Sequence, residues 1–92
     1  MKIISFRSYE KNTLKGFFAV MLSNGLEIRD LCLFEKNGKS WIRFPSKPYR
    51  DKDNNEKWSY IINFPDKEIA GDFQKKTLSA LADFRKTEGN IG

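Results

Sequence analysis

Hydrophobic positions along the chain fall into short strand-like runs followed by one long helical stripe. Ile3 to Ser8 mixes apolar and polar residues as a strand does, and the Glu10-Lys11-Asn12 cluster ends it. Phe17 to Leu22 is a continuous run of aromatic and branched residues, closed by Ser23-Asn24-Gly25. Asn-Gly tolerates the positive φ that a type I′ turn demands, so a return strand is predicted at once. That strand, Leu26 to Glu35, carries a break in phase. Leu26 and Ile28 share one face while Leu31 and Leu33 share the other, which predicts a β-bulge or sharp bend around Arg29-Asp30. Lys36-Asn37-Gly38-Lys39 repeats the Asn-Gly turn and starts a fourth strand, Ser40 to Phe44, stopped or confined to an edge by Pro45.

Ser46 to Lys57 is polar and charged, contains Pro48 and Asp53-Asn54-Asn55, and has no usable period; a long mobile loop is expected. Alternation resumes from Trp58 to Phe64, with Trp58, Tyr60, Ile62 and Phe64 on one side, predicting a fifth strand. Pro65-Asp66 then opens a helix, with Asp66 as N-cap and Glu68 in the first turn. Ile69, Phe73, Thr77, Ala80, Leu81 and Phe84 recur at three and four, one apolar stripe along roughly 30 Å of helix. Arg85 and Lys86 suit its C-terminal end, and Gly89 lies just beyond.

The expected architecture is α+β: a twisted antiparallel meander of about five strands over residues 1 to 64, and one helix over about 66 to 87 packed on one face. With 92 residues there is room for one domain and one core. A single helix covers only part of such a sheet, so the other face meets water, a partner chain or a ligand. Function is to be sought on that uncovered face.

Composition narrows the chemistry. The chain has one Cys and no His, which removes intramolecular disulfides, cysteine-rich zinc sites and the commonest general base. No catalytic residues, metal or other cofactor, or small-molecule substrate is expected. Cys32 alternates with apolar neighbours and reads as a small buried hydrophobe. Asp51-Lys52-Asp53-Asn54-Asn55 matches the opening of an EF-hand loop, but Glu56 stands where the sharp turn needs Gly and Ile62 where a bidentate Glu is needed. Two consecutive Ile near the N-terminus are too short for a signal sequence, and no apolar run is long enough to cross a membrane. A cytoplasmic protein without a membrane partner is expected.

The formal net charge is +5, and residues 1 to 64 carry all of it, twelve Lys/Arg against seven acids, while the helical segment is balanced. Simple solvation accounts for such a surface as well as an acidic partner does. Within this region cations interleave with aromatics: Lys39, Trp41, Arg43, Lys47, Tyr49, Arg50, Lys52, Lys57 and Trp58. Cations neutralise phosphates and aromatic planes accept stacked bases, and a strand projects Trp41 and Arg43 to the same side. These nine residues are the candidate nucleic-acid-binding set. The competing reading puts Trp41, Phe44 and Tyr60 in the core or a dimer interface with the cations as a fringe, and composition leaves both open.

At Phe44-Pro45-Ser46-Lys47 the chain resembles the stage V sporulation protein G (SpoVG) family, in which a meander is followed by a P-S-K tripeptide, a polar basic loop and a C-terminal helix. Leu26-x-Ile28-x-Asp30, an apolar strand and Asn37-Gly38 are similar to the family's run into that motif, so the likeness covers roughly Leu14 to Leu81. Pro45, Ser46 and Lys47 match residue for residue; Arg50 and Lys52 correspond loosely to the basic residues that follow. The family's His-containing segment is replaced by Trp58-Ser59-Tyr60-Ile61-Ile62, and its longer basic C-terminal part has no counterpart. The resemblance implies a small non-enzymatic DNA- or RNA-binding regulator acting as a sheet-mediated homodimer, with transcription the process it is expected to regulate. Single-stranded substrate is favoured because nothing resembles a recognition helix. The alternative is a protein-interaction adaptor that uses the uncovered sheet face or an edge strand.

Overall fold

Turn chemistry sets the strand order. The structure, a computed structural model, describes residues 1–91, the last four by backbone alone. Strands β1 (Lys2–Lys11), β2 (Leu14–Met21), β3 (Glu27–Lys36) and β4 (Lys39–Arg43) form an antiparallel sheet in the order β1-β2-β3-β4. Asn37 and Gly38 both have positive φ, 54° and 79°, as a two-residue type I′ turn requires, and Lys36 pairs with Lys39 across it. The Asn24-Gly25 connection is different from the expected one. Only Gly25 has positive φ; its N–H donates to Leu22 O at 2.9 Å while Leu22 N–H donates to Leu26 O at 2.8 Å. This is a three-residue loop ending in a left-handed Gly, and Asn24 Oδ1 holds it by accepting from Leu26 N–H.

The phase break is a bulge. Phe18 pairs with Leu31 and Val20 with Ile28, so Ala19 alone faces Arg29 and Asp30, and Asp30 takes φ 61°. The extra residue brings Ile28, Leu31 and Leu33 to one side. There they join Ile3, Phe18, Val20 and Ile42 in the core, closed by Leu81 and the fully buried Thr77 of α1 (Lys67–Ile91). The helix lies over β1 and β4, the two edges of the sheet. Asp66 caps it as expected, its Oδ1 accepting from the N–H groups of Glu68 (2.8 Å) and Ile69 (3.1 Å).

Two expectations for the helix change. Ile69 is 53% exposed, because it sits in the first turn and the sheet-facing stripe starts one turn later at Phe73, against Phe44 and Phe64. The helix also runs on through Gly89 to Ile91, so Arg85 and Lys86 are interior residues and not its C-terminal turn. Arg85 instead reaches the sheet, bonding Glu35 at 3.2 Å and covering the Phe6 ring at 4.9 Å.

The largest correction concerns residues 46 to 64. Ser46 to Lys57 is not a loop between strands of one sheet. β5 (Ser46–Arg50) and β6 (Glu56–Tyr60) form a second, two-stranded antiparallel sheet, making six strands in all among the described residues. A tight turn drives it: Asp51 Oδ1 accepts from the N–H groups of Asp53 and Asn55, both at 2.9 Å, Asp51 N–H donates to Asn55 O at 3.1 Å, and Asn54 takes φ 64°. The segment that opens like a calcium loop therefore uses its first carboxylate to hold backbone. Pro48 is tolerated because a two-stranded ribbon is all edge. The ribbon packs against neither the four-stranded sheet nor the helix among the described residues; Ile61 N–H donating to Pro45 O at 3.0 Å closes its root. Strand β6 stops at Tyr60, and beyond it Phe64 turns inward to Phe44 and Phe73. No described helix is long and apolar enough to cross a membrane.

Candidate nucleic-acid interface

Because Phe18, Leu31, Leu33 and Ile42 point at the helix, their sequence neighbours point the other way. The cross-strand row Arg7, Phe17, Cys32 and Arg43 thus lies on the uncovered face, with Phe34 beside Trp41 in the next such row. The Phe34 and Trp41 rings stack at 5.6 Å with 7° between their planes, and Arg43 sits 5.5 Å over Phe34. Towards the other edge, Arg7 lies 5.3 Å over Phe17, which also meets Tyr9 at 5.7 Å. Two cation-aromatic clusters flank Cys32.

The ribbon leans over this face. Between the two lies a cleft of about 590 Å³, with Phe17, Cys32, Phe34 and Arg43 on the sheet side and Trp58, Tyr60 and Ile61 on the ribbon side. Trp58 is 65% exposed, so its indole is open to an incoming ligand. Asp30 is the one acid and Arg43 the one cation that line the cleft among the described residues.

Of the nine candidate residues, Trp41 and Arg43 share the uncovered face with Lys39, and Trp58 lines the cleft together with Arg43. The other five do not converge there. Pairing of Lys47 with Ser59 and Tyr49 with Lys57 sets Lys47, Tyr49 and Lys57 on the ribbon's far side, opposite to Trp58 and Tyr60. Arg50 donates to Asn54 O at 3.2 Å, Lys57 pairs with Asp51 at 3.4 Å, and Lys52 sits exposed in the turn. Sequence reasoning missed Arg7, Tyr9, Phe17, Asp30 and Phe34. Phe17 lay inside a continuous apolar run that carries no facing signal, and only the pairing register separates it from Phe18.

Cys32 is half-buried and lines the cleft, where the core position expected for it belongs to Leu31 and Leu33. Burial pushes its thiol above the usual value, the Asp30 carboxylate adds to this, and Arg43 works against it. The Asp51 carboxyl is held below its usual value, first by the Asn55 backbone N–H, with Lys57 and Asp53 N–H assisting. Among the described residues no three His, Cys, Asp or Glu side chains gather as a metal site.

Chemically the arrangement offers flat apolar walls for a planar ring, a guanidinium at the mouth for an anion and no paired acid and base. Comparison with protein-family models, with curated proteins and with solved structures returned no match, so the family resemblance rests on the sequence pattern from Leu26 to Lys47.

Proposed function

We propose that this chain is a non-catalytic protein that binds single-stranded DNA or RNA, in the role of a regulator of transcription, by taking bases into the cleft between the uncovered sheet face and the β5-β6 ribbon. The observation that carries this reading is the opposition of Trp58 and Tyr60 to Phe17 and Phe34 across a space bordered by Arg43. Aromatic planes stack any base, and cations beside them neutralise the strand's phosphates. Lys39, Lys47 and Lys52 make no ion pair among the described residues and extend the cationic surface along the face and the ribbon. A cleft of about 590 Å³ walled by single aromatic rings suits unpaired bases, which favours single strands.

Fluorescent single strands titrated at two salt concentrations test the proposal. Binding at low salt that weakens as salt rises is expected; no binding at low salt ends the proposal, and affinity indifferent to salt removes the phosphate contacts. A homodimer would form through β1, whose outer edge is unpaired, since Gln74 occupies the outer edge of β4 at Ile42.

One observation favours a second reading. Ile61 is exposed beside Trp58 and Tyr60, and such an apolar rim also suits a protein partner. A stable hetero-complex with no affinity for oligonucleotides would establish the adaptor instead.

A further inference from the structure

Asp30 is conspicuous in a surface built of cations and rings. Its left-handed backbone, φ 61° at the bulge, admits Gly, Asn or Asp. Gly or Asn would satisfy that geometry without a charge, whereas Asp sets a carboxylate in the wall of a site otherwise suited to a polyanion. It makes no salt bridge among the described residues. A lone carboxylate repels phosphate, so its favourable partner on a nucleic acid is a base edge that donates hydrogen bonds.

Asp30 also stands between two concavities that share Phe17 as a wall: the aromatic cleft, and a second pocket of about 370 Å³ bordered by Ser5, Arg7, Glu27 and Arg29. In that second pocket Arg29 is engaged by Glu27 at 3.0 Å, while Arg7 has no carboxylate partner among the described residues. The aromatic cleft and the pocket that holds the unpaired Arg7 thus adjoin, with the carboxylate at their border.

We infer that the cleft selects guanine from a single strand, the Asp30 carboxylate accepting its N1–H and exocyclic N2–H groups, with an adjacent phosphate held by Arg7 in the second pocket. The inference rests on the nucleic-acid reading above and names the base. A carboxylate presents two acceptors side by side and no donor. On the pairing edges, adenine sets an acceptor beside its amine, cytosine does the same, and thymine or uracil flanks its one N–H with two carbonyls. Guanine alone sets two donors next to each other, so each other base brings an acceptor against the carboxylate.

The test compares a thymidine-only strand, the same strand with one central guanine, and the same strand with inosine, which lacks the exocyclic amine. The wild-type chain is expected to bind the guanine strand about tenfold tighter than the thymidine strand, the scale of one good bidentate base contact, with inosine between them. Asp30→Asn keeps a residue that tolerates positive φ, and it should lose the guanine preference while binding the thymidine strand at least as well. Asp30→Gly, which also preserves the bulge, should behave alike. Equal affinity for all three strands, or a guanine preference that survives both substitutions, overturns the inference and leaves the nucleic-acid reading standing. Failure of every strand to bind at low salt overturns both.

Discussion

Gln74 holds the backbone of Ile42 with both ends of its side-chain amide: Oε1 accepts from Ile42 N–H at 2.9 Å and Nε2 donates to Ile42 O at 2.7 Å. Ile42 is buried on the outermost strand, β4, so its outward polar groups would otherwise go without a partner or invite another strand. Gln74→Ala is expected to destabilise the fold by about 1–3 kcal/mol, the penalty for leaving such groups unpaired. Urea unfolding measures it. Sedimentation of the same variant should also show association beyond that of the wild type, through the freed β4 edge; an unchanged midpoint would mean the bonds contribute nothing net.

Gly16 sits where β2 passes under the Phe6 ring. A Cβ there would lie 2.6 Å from Arg7 O and 2.7 Å from the Phe6 ring. The oxygen belongs to a paired strand and cannot step aside cheaply. Gly16→Ala should therefore cost about 1–3 kcal/mol by overpacking, read as a lowered thermal midpoint, even though Ala suits a strand better than Gly does.

Trp58 and Tyr49 occupy opposite faces of one ribbon. Under the proposed function Trp58→Ala should weaken single-strand binding by about 1–3 kcal/mol, the range for loss of one stacked base. Tyr49→Ala, on the far face, should change affinity little. Equal losses from the two would mean the strand wraps the ribbon and does not enter the cleft.

Burial keeps the Cys32 thiol above its ordinary value, with Asp30 reinforcing and Arg43 opposing. The thiolate is the reacting species, so alkylation at mildly alkaline pH should be slower in the folded chain than in the unfolded one. A bound oligonucleotide should slow it further, because Cys32 lines the cleft. A rate unaffected by saturating oligonucleotide would place the ligand elsewhere.

Acid should loosen the ribbon turn before the main sheet. The Asp51 carboxyl is depressed in the folded chain, so its contribution is fully present above the ordinary carboxylate value of 3.8 and fades as pH falls through the lower folded value. The amide signals of Asp53 and Asn55, both donors to Asp51 Oδ1, should shift or exchange faster in that window while those of β2 and β3 hold. Asp51→Asn should remove the pH response.

Local chemistry was legible in the chain, and distant packing was not. The Asn37-Gly38 turn, the Asp66 cap and the slip at Arg29-Asp30 each depend on a few adjacent residues, and each could be read from them. The ribbon could not, because period-two reading needs one buried face and every residue of β5 is exposed; its local signal is the Asp51 turn. The same limit applied to the site. Alternation places Trp41 and Arg43 together, but bringing Trp58 into one cleft with Arg43 requires the separate ribbon, and spacing along the chain does not encode its tilt.

That ribbon is tied to the rest of the molecule at its root, near Pro45 and Ile61, and nowhere along its length among the described residues. Under the proposed function, a jaw anchored at one end only can close on bases of different thickness while the four-stranded sheet keeps its register. Substitutions around Pro45 would accordingly retune grip strength with little change in the chemistry of the walls.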